Sequence, residues 1–160
     1  MLSKLLFSLL FLCVVISDQV TKFIIDSTLS LHESQSIIGN VLQLTYVRNS
    51  GAAFGLSFGN QTVMFIVTVV VTITLFYLFI SGKIGTGTIV GKIALVMVLG
   101  GAIGNLIDRI RMGEVIDFID MGFGHYRWPV YNLADIYVTV GMFMLIFSFV
   151  IQSKSSEVSQ

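Results

Sequence analysis

Five of the nine carboxylates, Asp108, Glu114, Asp117, Asp120 and Asp135, fall in the stretch Gly104–Asp135, between one long apolar segment and the next. Ionisable groups at the edge of a hydrocarbon layer are costly and are usually retained for a task. Asp117 and Asp135 stand near the ends of different apolar segments, so folding can bring them together. Two carboxylates in one site share a proton, because like charges at close range cannot both ionise comfortably. Such a pair activates water. The chemistry expected is that of an aspartic protease embedded in a membrane.

The other groups in this stretch sort around that pair. Asp117 lies between Ile116 and Phe118, where desolvation favours its protonated form. Asp120 is the competitor, but it leads into the loop Met121-Gly122-Phe123-Gly124. Asp135 falls at the third position of a helix that Asn132 can cap; there the helix dipole alone accounts for an acid. Asp108, flanked by Arg109 and followed at i+3 by Arg111, reads as a neutralised structural partner. Asn105 shares a helical face with Asp108 and Arg109, and can orient a substrate amide or an aspartate. Upstream, Asp18 and Lys22 are spaced i, i+4 with the acid first, the pattern of an intrahelical ion pair. Asp18, the deeper of the two, can also help position a catalytic group. Asn49, in Arg48-Asn49-Ser50-Gly51-Ala52-Ala53-Phe54-Gly55, carries two readings: a tight turn, or a strip of small residues along which a substrate backbone can lie.

These residues need elements to hold them. With 55% hydrophobic and 11% charged residues over 160 positions, the chain reads as one membrane domain, residues 1–153. The expected fold is all-α, with four transmembrane helices at about 4–25, 61–81, 88–109 and 134–152. A cleavable signal peptide is the rival for the first, but no small-x-small site follows it. Gly100 and Gly104 form a small-xxx-small packing face. Between the first two helices, 26–60 is polar, and Leu42-Gln43-Leu44-Thr45-Tyr46 alternates with period two, so a small strand platform is expected there. Between the last two, 110–133 is expected to be loop or short helix, and 154–160 a disordered polar tail.

Composition also excludes. Zero net charge gives no nucleic-acid partner, and the two histidines, His32 and His125, have no ligand spacing, so no metal or cofactor is expected. Cys13 has no second cysteine to pair with and reads as an apolar-facing residue. The basic residues on the side of the termini, Lys4, Lys83, Lys92 and Lys154, face Glu157 alone, whereas those on the other side sit among carboxylates. Termini inside and an outward-facing active region follow. A proton-relaying transporter would place its acids near mid-span, and a glycine-faced scaffold leaves Asn105, Asp117 and Asp135 unexplained.

The motifs Asp18-Gln19-Val20-Thr21-Lys22, Asn49-x-Gly51-Ala52-Ala53-Phe54, Gly104-Asn105-x-x-Asp108-Arg109, Val115-x-Asp117-Phe118 and Asn132-x-Ala134-Asp135, in that order, resemble those of the lipoprotein (type II) signal peptidases of bacteria. Each motif is weak alone; the ordered set, from Asp18 to Gly141, is specific. The resemblance implies an aspartic endopeptidase of the cytoplasmic membrane; a monomer is expected. Its substrates would be diacylglyceryl-modified prolipoproteins, cut just before the lipidated cysteine. It implies Asp117 and Asp135 as the catalytic pair, with Asp18, Lys22, Asn49, Gly51, Gly101, Asn105, Arg109, Asn132 and Ala134 as supporting or substrate-binding positions. Membrane lipids and cyclic peptide inhibitors such as globomycin are the further implied partners. Tyr131 departs mildly from the family, where phenylalanine is common.

Overall fold

The computed structural model describes residues 2–53, 56–57, 61–81 and 88–157. Phe54, Gly55 and Gly59, the connection carrying Lys83, and the last three residues of the tail lie outside these. Four helices and six strands are described: α1 (Leu2–Thr28), β1 (Ser34–Ile38), β2 (Leu42–Asn49), β3 (Ala52–Ala53), β4 (Leu56–Ser57), α2 (Gln61–Ile80), α3 (Ile89–Met112), β5 (Val115–Phe123), β6 (Tyr126–Arg127) and α4 (Leu133–Glu157). Among the described residues three spans, Lys4–Thr28, Ile89–Met112 and Leu133–Ile151, are long and apolar enough to cross a bilayer, and α2 holds the shorter apolar stretch Phe65–Tyr77.

The distribution of side chains is inverted relative to a protein in water. Leu5, Leu9, Leu12, Ile16 and Phe23 on α1 are exposed, as are Phe143, Ile146 and Phe147 on α4, while Asp18, Lys22, Asp108 and Asn132 are at most 1% exposed. A hydrocarbon solvent explains both halves of this pattern: it accepts the apolar faces and drives the polar groups inward to one another.

The helix α3 is the axis of the bundle, packing on α1, α2 and α4. Glycines make this possible. A methyl group at Gly100 would lie 2.6 Å from Val14 Cγ1, one at Gly101 2.5 Å from the Ala134 carbonyl, and one at Gly104 would collide with Asp18 Oδ2. The expected small-residue face of Gly100 and Gly104 therefore exists, against α1, and Gly101 makes a second close approach, against α4. Thr88 starts α3 by accepting the Gly91 N–H at 3.0 Å. Gly113, with φ +79°, ends it by donating to the Arg109 carbonyl at 3.0 Å. The helix thus runs three residues past the expected boundary at 109, because Gly113 is where the chain can turn left-handed. Likewise α4 continues to Glu157, so Lys154–Glu157 is helix rather than disordered tail; nothing in Ser-Lys-Ser-Ser-Glu breaks a helix.

The larger correction concerns 110–133, expected as loop or short helix. Instead, Val115–Phe123 is a strand, and the platform is a sheet of order β1-β2-β5-β6 drawn from both segments. Val115, Ile116, Phe118 and Ile119 are residues that suit a half-buried strand, and β2 supplies the partner edge. Tyr46, Ile116 and Phe118 pack with Ile25 into a small core that seats the sheet on the end of α1.

Candidate active site

Asp117 is on β5 and Asp135 in the first turn of α4. In the β2–β5 ladder Asn49 is opposite Val115 and Val47 opposite Asp117, so Asn49 and Asp117 are diagonal neighbours on one face. Asn49 Nδ2 donates to Asp117 Oδ2 at 2.8 Å. Asp135 is tied to its own helix start by a reciprocal cap: its N–H donates to Asn132 Oδ1 at 3.0 Å, and the Asn132 N–H donates to Asp135 Oδ2 at 3.3 Å. The first-turn role foreseen for Asp135 is real. It does not exhaust the residue.

Three carboxamides converge on the two aspartates, and each is oriented by something other than the aspartate it serves. Asn49 Oδ1 accepts the Gly51 N–H at 2.9 Å, which turns its amino group to Asp117. Asn132 Oδ1 accepts the Asp135 N–H, which leaves Nδ2 to donate to Asp117 Oδ1 at 2.6 Å. Asn105 Oδ1 accepts Lys22 Nζ at 2.8 Å, so its amino group faces Asp135 Oδ1 at 2.9 Å. An ammonium group can only donate, so the direction of this last amide is fixed.

Asp117 is 2% exposed. Burial first, and the neighbouring charge of Asp135 second, push its carboxyl up to about 7, against the pull of Asn49, Asn132 and Lys22. Both aspartates line one cavity of about 690 Å³, together with Asn49, Gly51, Asn105 and Arg109. Its apolar wall comes from Trp128-Pro129-Val130 before α4 and from Ile136, Val138 and Val140 on α4. Among the described residues no cluster of three or more His, Cys, Asp or Glu has the geometry to hold a metal ion. The arrangement sets two carboxyl groups side by side at the edge of an apolar slot.

Behind the cavity sits a closed ionic cluster. Lys22 Nζ meets Asp18 Oδ2 at 2.9 Å, Asp108 Oδ2 at 2.8 Å and Asn105 Oδ1, which uses all three of its donors. Gln19 Nε2 bridges the same two acids, at 3.2 Å to Asp18 Oδ2 and 3.0 Å to Asp108 Oδ1. Asp108 is neutralised as expected, but by Lys22 rather than Arg109 or Arg111, because Asp108 faces α1. Asp120, the competitor of Asp117, is engaged by Arg127 Nε at 2.7 Å and Thr45 Oγ1 at 2.7 Å.

Of the residues singled out from sequence, Asp117, Asp135, Asn49, Gly51, Asn105 and Arg109 line the cavity. Asn132 braces both aspartates from behind. Gly101 and Ala134 are packing residues, where α3 and α4 touch. Asp18 and Lys22 belong to the ionic cluster. Sequence reasoning missed Gln19 as a member, the true partner of Asp108, and the apolar wall. The first two had a signal: polar stripes on two apolar helices must find each other.

A model of the signal peptidase II family matches residues 10–151. Lipoprotein signal peptidases of Staphylococcus aureus, strains JH9 and Newman among them, are 42% identical over 133 residues, 83% of this chain and 80% of theirs. A bacterial membrane enzyme determined by the in meso method at 2.3 Å superposes with a TM-score of 0.80 at 36% identity, over 93% of this chain and 90% of that one. A second, at 1.9 Å, gives 0.76 at 38% identity, over 89% and 91%. Likeness of this extent in sequence and fold makes the chain a multi-pass membrane protease belonging to the signal peptidase II family.

Proposed function

We propose that the chain removes signal peptides from diacylglyceryl-modified prolipoproteins, cutting immediately before the lipidated cysteine, with Asp117 and Asp135 as the catalytic pair. The observation that carries this reading is the pair itself: two aspartates from different elements, facing one cavity and served by neutral amides rather than cations. One carboxylate, as base, takes a proton from water, and the resulting hydroxide oxygen attacks the carbonyl carbon preceding the cysteine. The other, protonated, donates to the carbonyl oxygen. Collapse of the tetrahedral species breaks the C–N bond, and a proton from the pair goes to the departing cysteine amine. Asn49, Asn105 and Asn132 hold both carboxyls in place, and Arg109 borders the site where oxyanion charge develops.

The reading extends to placement. All four helices span the cytoplasmic membrane, α2 included, with the termini in the cytoplasm and the sheet and cavity at the outer face. The apolar wall on α4 then receives the signal peptide from the bilayer, and cyclic peptide inhibitors such as globomycin compete for the same slot. The protein works as a monomer.

The test is cleavage of a purified prolipoprotein, with and without its diacylglyceryl group, by wild type, Asp117→Asn and Asp135→Asn. Cleavage of the lipidated form alone, lost in both variants, is expected. Near-normal cleavage by either well-folded variant would sink the dyad.

A further inference from the structure

The buried cluster behind the cavity touches the chain at two revealing points. Asp108 Oδ2 accepts the N–H of Ile116, the residue before Asp117, at 3.3 Å. Asp18 Oδ1 accepts the N–H of Ala134, the residue before Asp135, at 2.9 Å. Lys22 joins these two acids at 2.8 and 2.9 Å. A continuous path therefore runs from one catalytic candidate to the other: Asp117, the Ile116 amide, Asp108, Lys22, Asp18, the Ala134 amide, Asp135. Its polar members come from α1 and α3, neither of which carries a member of the pair. Asp18, Lys22, Asp108, Ile116 and Ala134 are each at most 2% exposed.

Desolvating three charges costs roughly what their attraction returns, so such a cluster is a poor source of net stability. What it does supply is fixed distance. We propose that Asp18, Lys22 and Asp108, with Gln19 bridging the acids, form a clamp that sets the spacing of Asp117 and Asp135, making Asp108 and Gln19 positioning residues for the cleavage reaction. This rests on the reading of Asp117 and Asp135 as the catalytic pair.

Spacing has a signature that mere structural support lacks. The repulsion between two carboxylates falls with their separation, and it is what drives the two limbs of the pH–rate profile apart. A looser clamp narrows the bell. The other charged groups around the pair are Asp18 and Lys22 from α1 and Asp108 and Arg109 from α3, with the Tyr131 phenol bordering the cavity. The loss of a charge, taken alone, moves both limbs in the same direction and leaves the width alone, so a change of width reports the spacing.

The experiment is the pH profile of cleavage of a diacylglyceryl-prolipoprotein by wild type, Asp117→Asn, Asp108→Asn, Gln19→Leu, Lys22→Met and the double variant Lys22→Met/Asp108→Asn. For Asp108→Asn the expectation is a fall in kcat of about ten- to a hundredfold with KM changed less than about threefold. Its bell should narrow by about one pH unit. Gln19→Leu changes no charge, so it should narrow the bell less and leave its centre in place; it decides the matter where Asp108→Asn does not fold. Residues acting as one clamp are non-additive, so the double variant should cost about as much as the worse single one. Unchanged bell width in both Asp108→Asn and Gln19→Leu, or additive losses in the double variant, overturns the clamp while leaving the dyad standing. No cleavage by wild type, or normal cleavage by Asp117→Asn, overturns the dyad and the clamp with it.

Discussion

Asp18 and Asp108 share a lysine, whereas Asp117 and Asp135 share an asparagine. The two pairs are neighbours, and Asn105 touches both regions through its two side-chain ends. In the first, a cation sits between the acids, a glutamine bridges them, and backbone amides take remaining lone pairs. In the second, the donors are neutral amides, and the oxygens border a cavity. A carboxylate bonded to an ammonium group is held in one geometry by charge-assisted hydrogen bonds. A carboxylate held by amides keeps its geometry and can still exchange a proton, and burial brings Asp117 to about 7, where that exchange is easiest. The same side chain, in one protein, is bound by a cation in one place and by neutral amides at a cavity in another.

The sharpest way to break this contrast is to neutralise each pair in turn. Asp117→Asn or Asp135→Asn should lower turnover by about 10²–10⁴-fold, the range of an acid–base group, with thermal unfolding in detergent close to wild type. Lys22→Met should do the reverse in emphasis. It leaves two buried acids without their cation and should cost about 3–5 kcal/mol of stability, read as a lowered unfolding temperature. Turnover should fall as well, since the orientation of Asn105 is lost. Were Lys22→Met as stable as wild type, the ionic cluster would not be the fixed region described.

Packing between the regions can be tested at Gly101. A methyl there meets the Ala134 carbonyl, a backbone atom that cannot swing aside. Gly101→Ala should destabilise by about 1–3 kcal/mol and, because Ala134 precedes Asp135, reduce activity beyond the loss of folded protein.

The pH dependence of stability separates Asp117 from the background. Its carboxyl titrates near 7 in the folded chain against an ordinary 3.8, so the folded state holds its proton longer than the unfolded one. Stability from this group is then greatest below pH 4, declines as pH rises toward 7, and is level above. The difference in unfolding temperature between wild type and Asp117→Asn, followed from pH 4 to 8, should show that decline; a flat difference would remove the shift. The smallest effect is expected at Asp120→Asn. Asp120 is only three residues from Asp117 and is also buried, but its partner Arg127 is 35% exposed in its side chain. The cost should be at most about 1 kcal/mol, with cleavage near wild type.

Much of this was legible in order along the chain. Apolar length located the helices, and the isolation of five acids between two of them pointed to the stretch that supplies Asp117 and Asp135 to the cavity. The capping position of Asn132 and the glycine face of α3 could be read locally, since both depend on residues three or four apart. The strand at Val115–Phe123 was not legible, because its acids interrupt the alternation and its partner β2 lies some seventy residues earlier. Nor was the choice of Lys22 by Asp108, since arginines closer in sequence point elsewhere once α3 turns its polar face to α1.

The sequence by itself determined that this is a membrane chain with a small strand platform, and it singled out Asp117 and Asp135, which line one cavity, because composition, period and motif are local properties. Only the tertiary structure decided which acids meet a cation and which meet amides. Those partners come from α1, β2, α3, β5 and α4 together, and the low dielectric that makes each pairing matter exists only once these elements have closed around it.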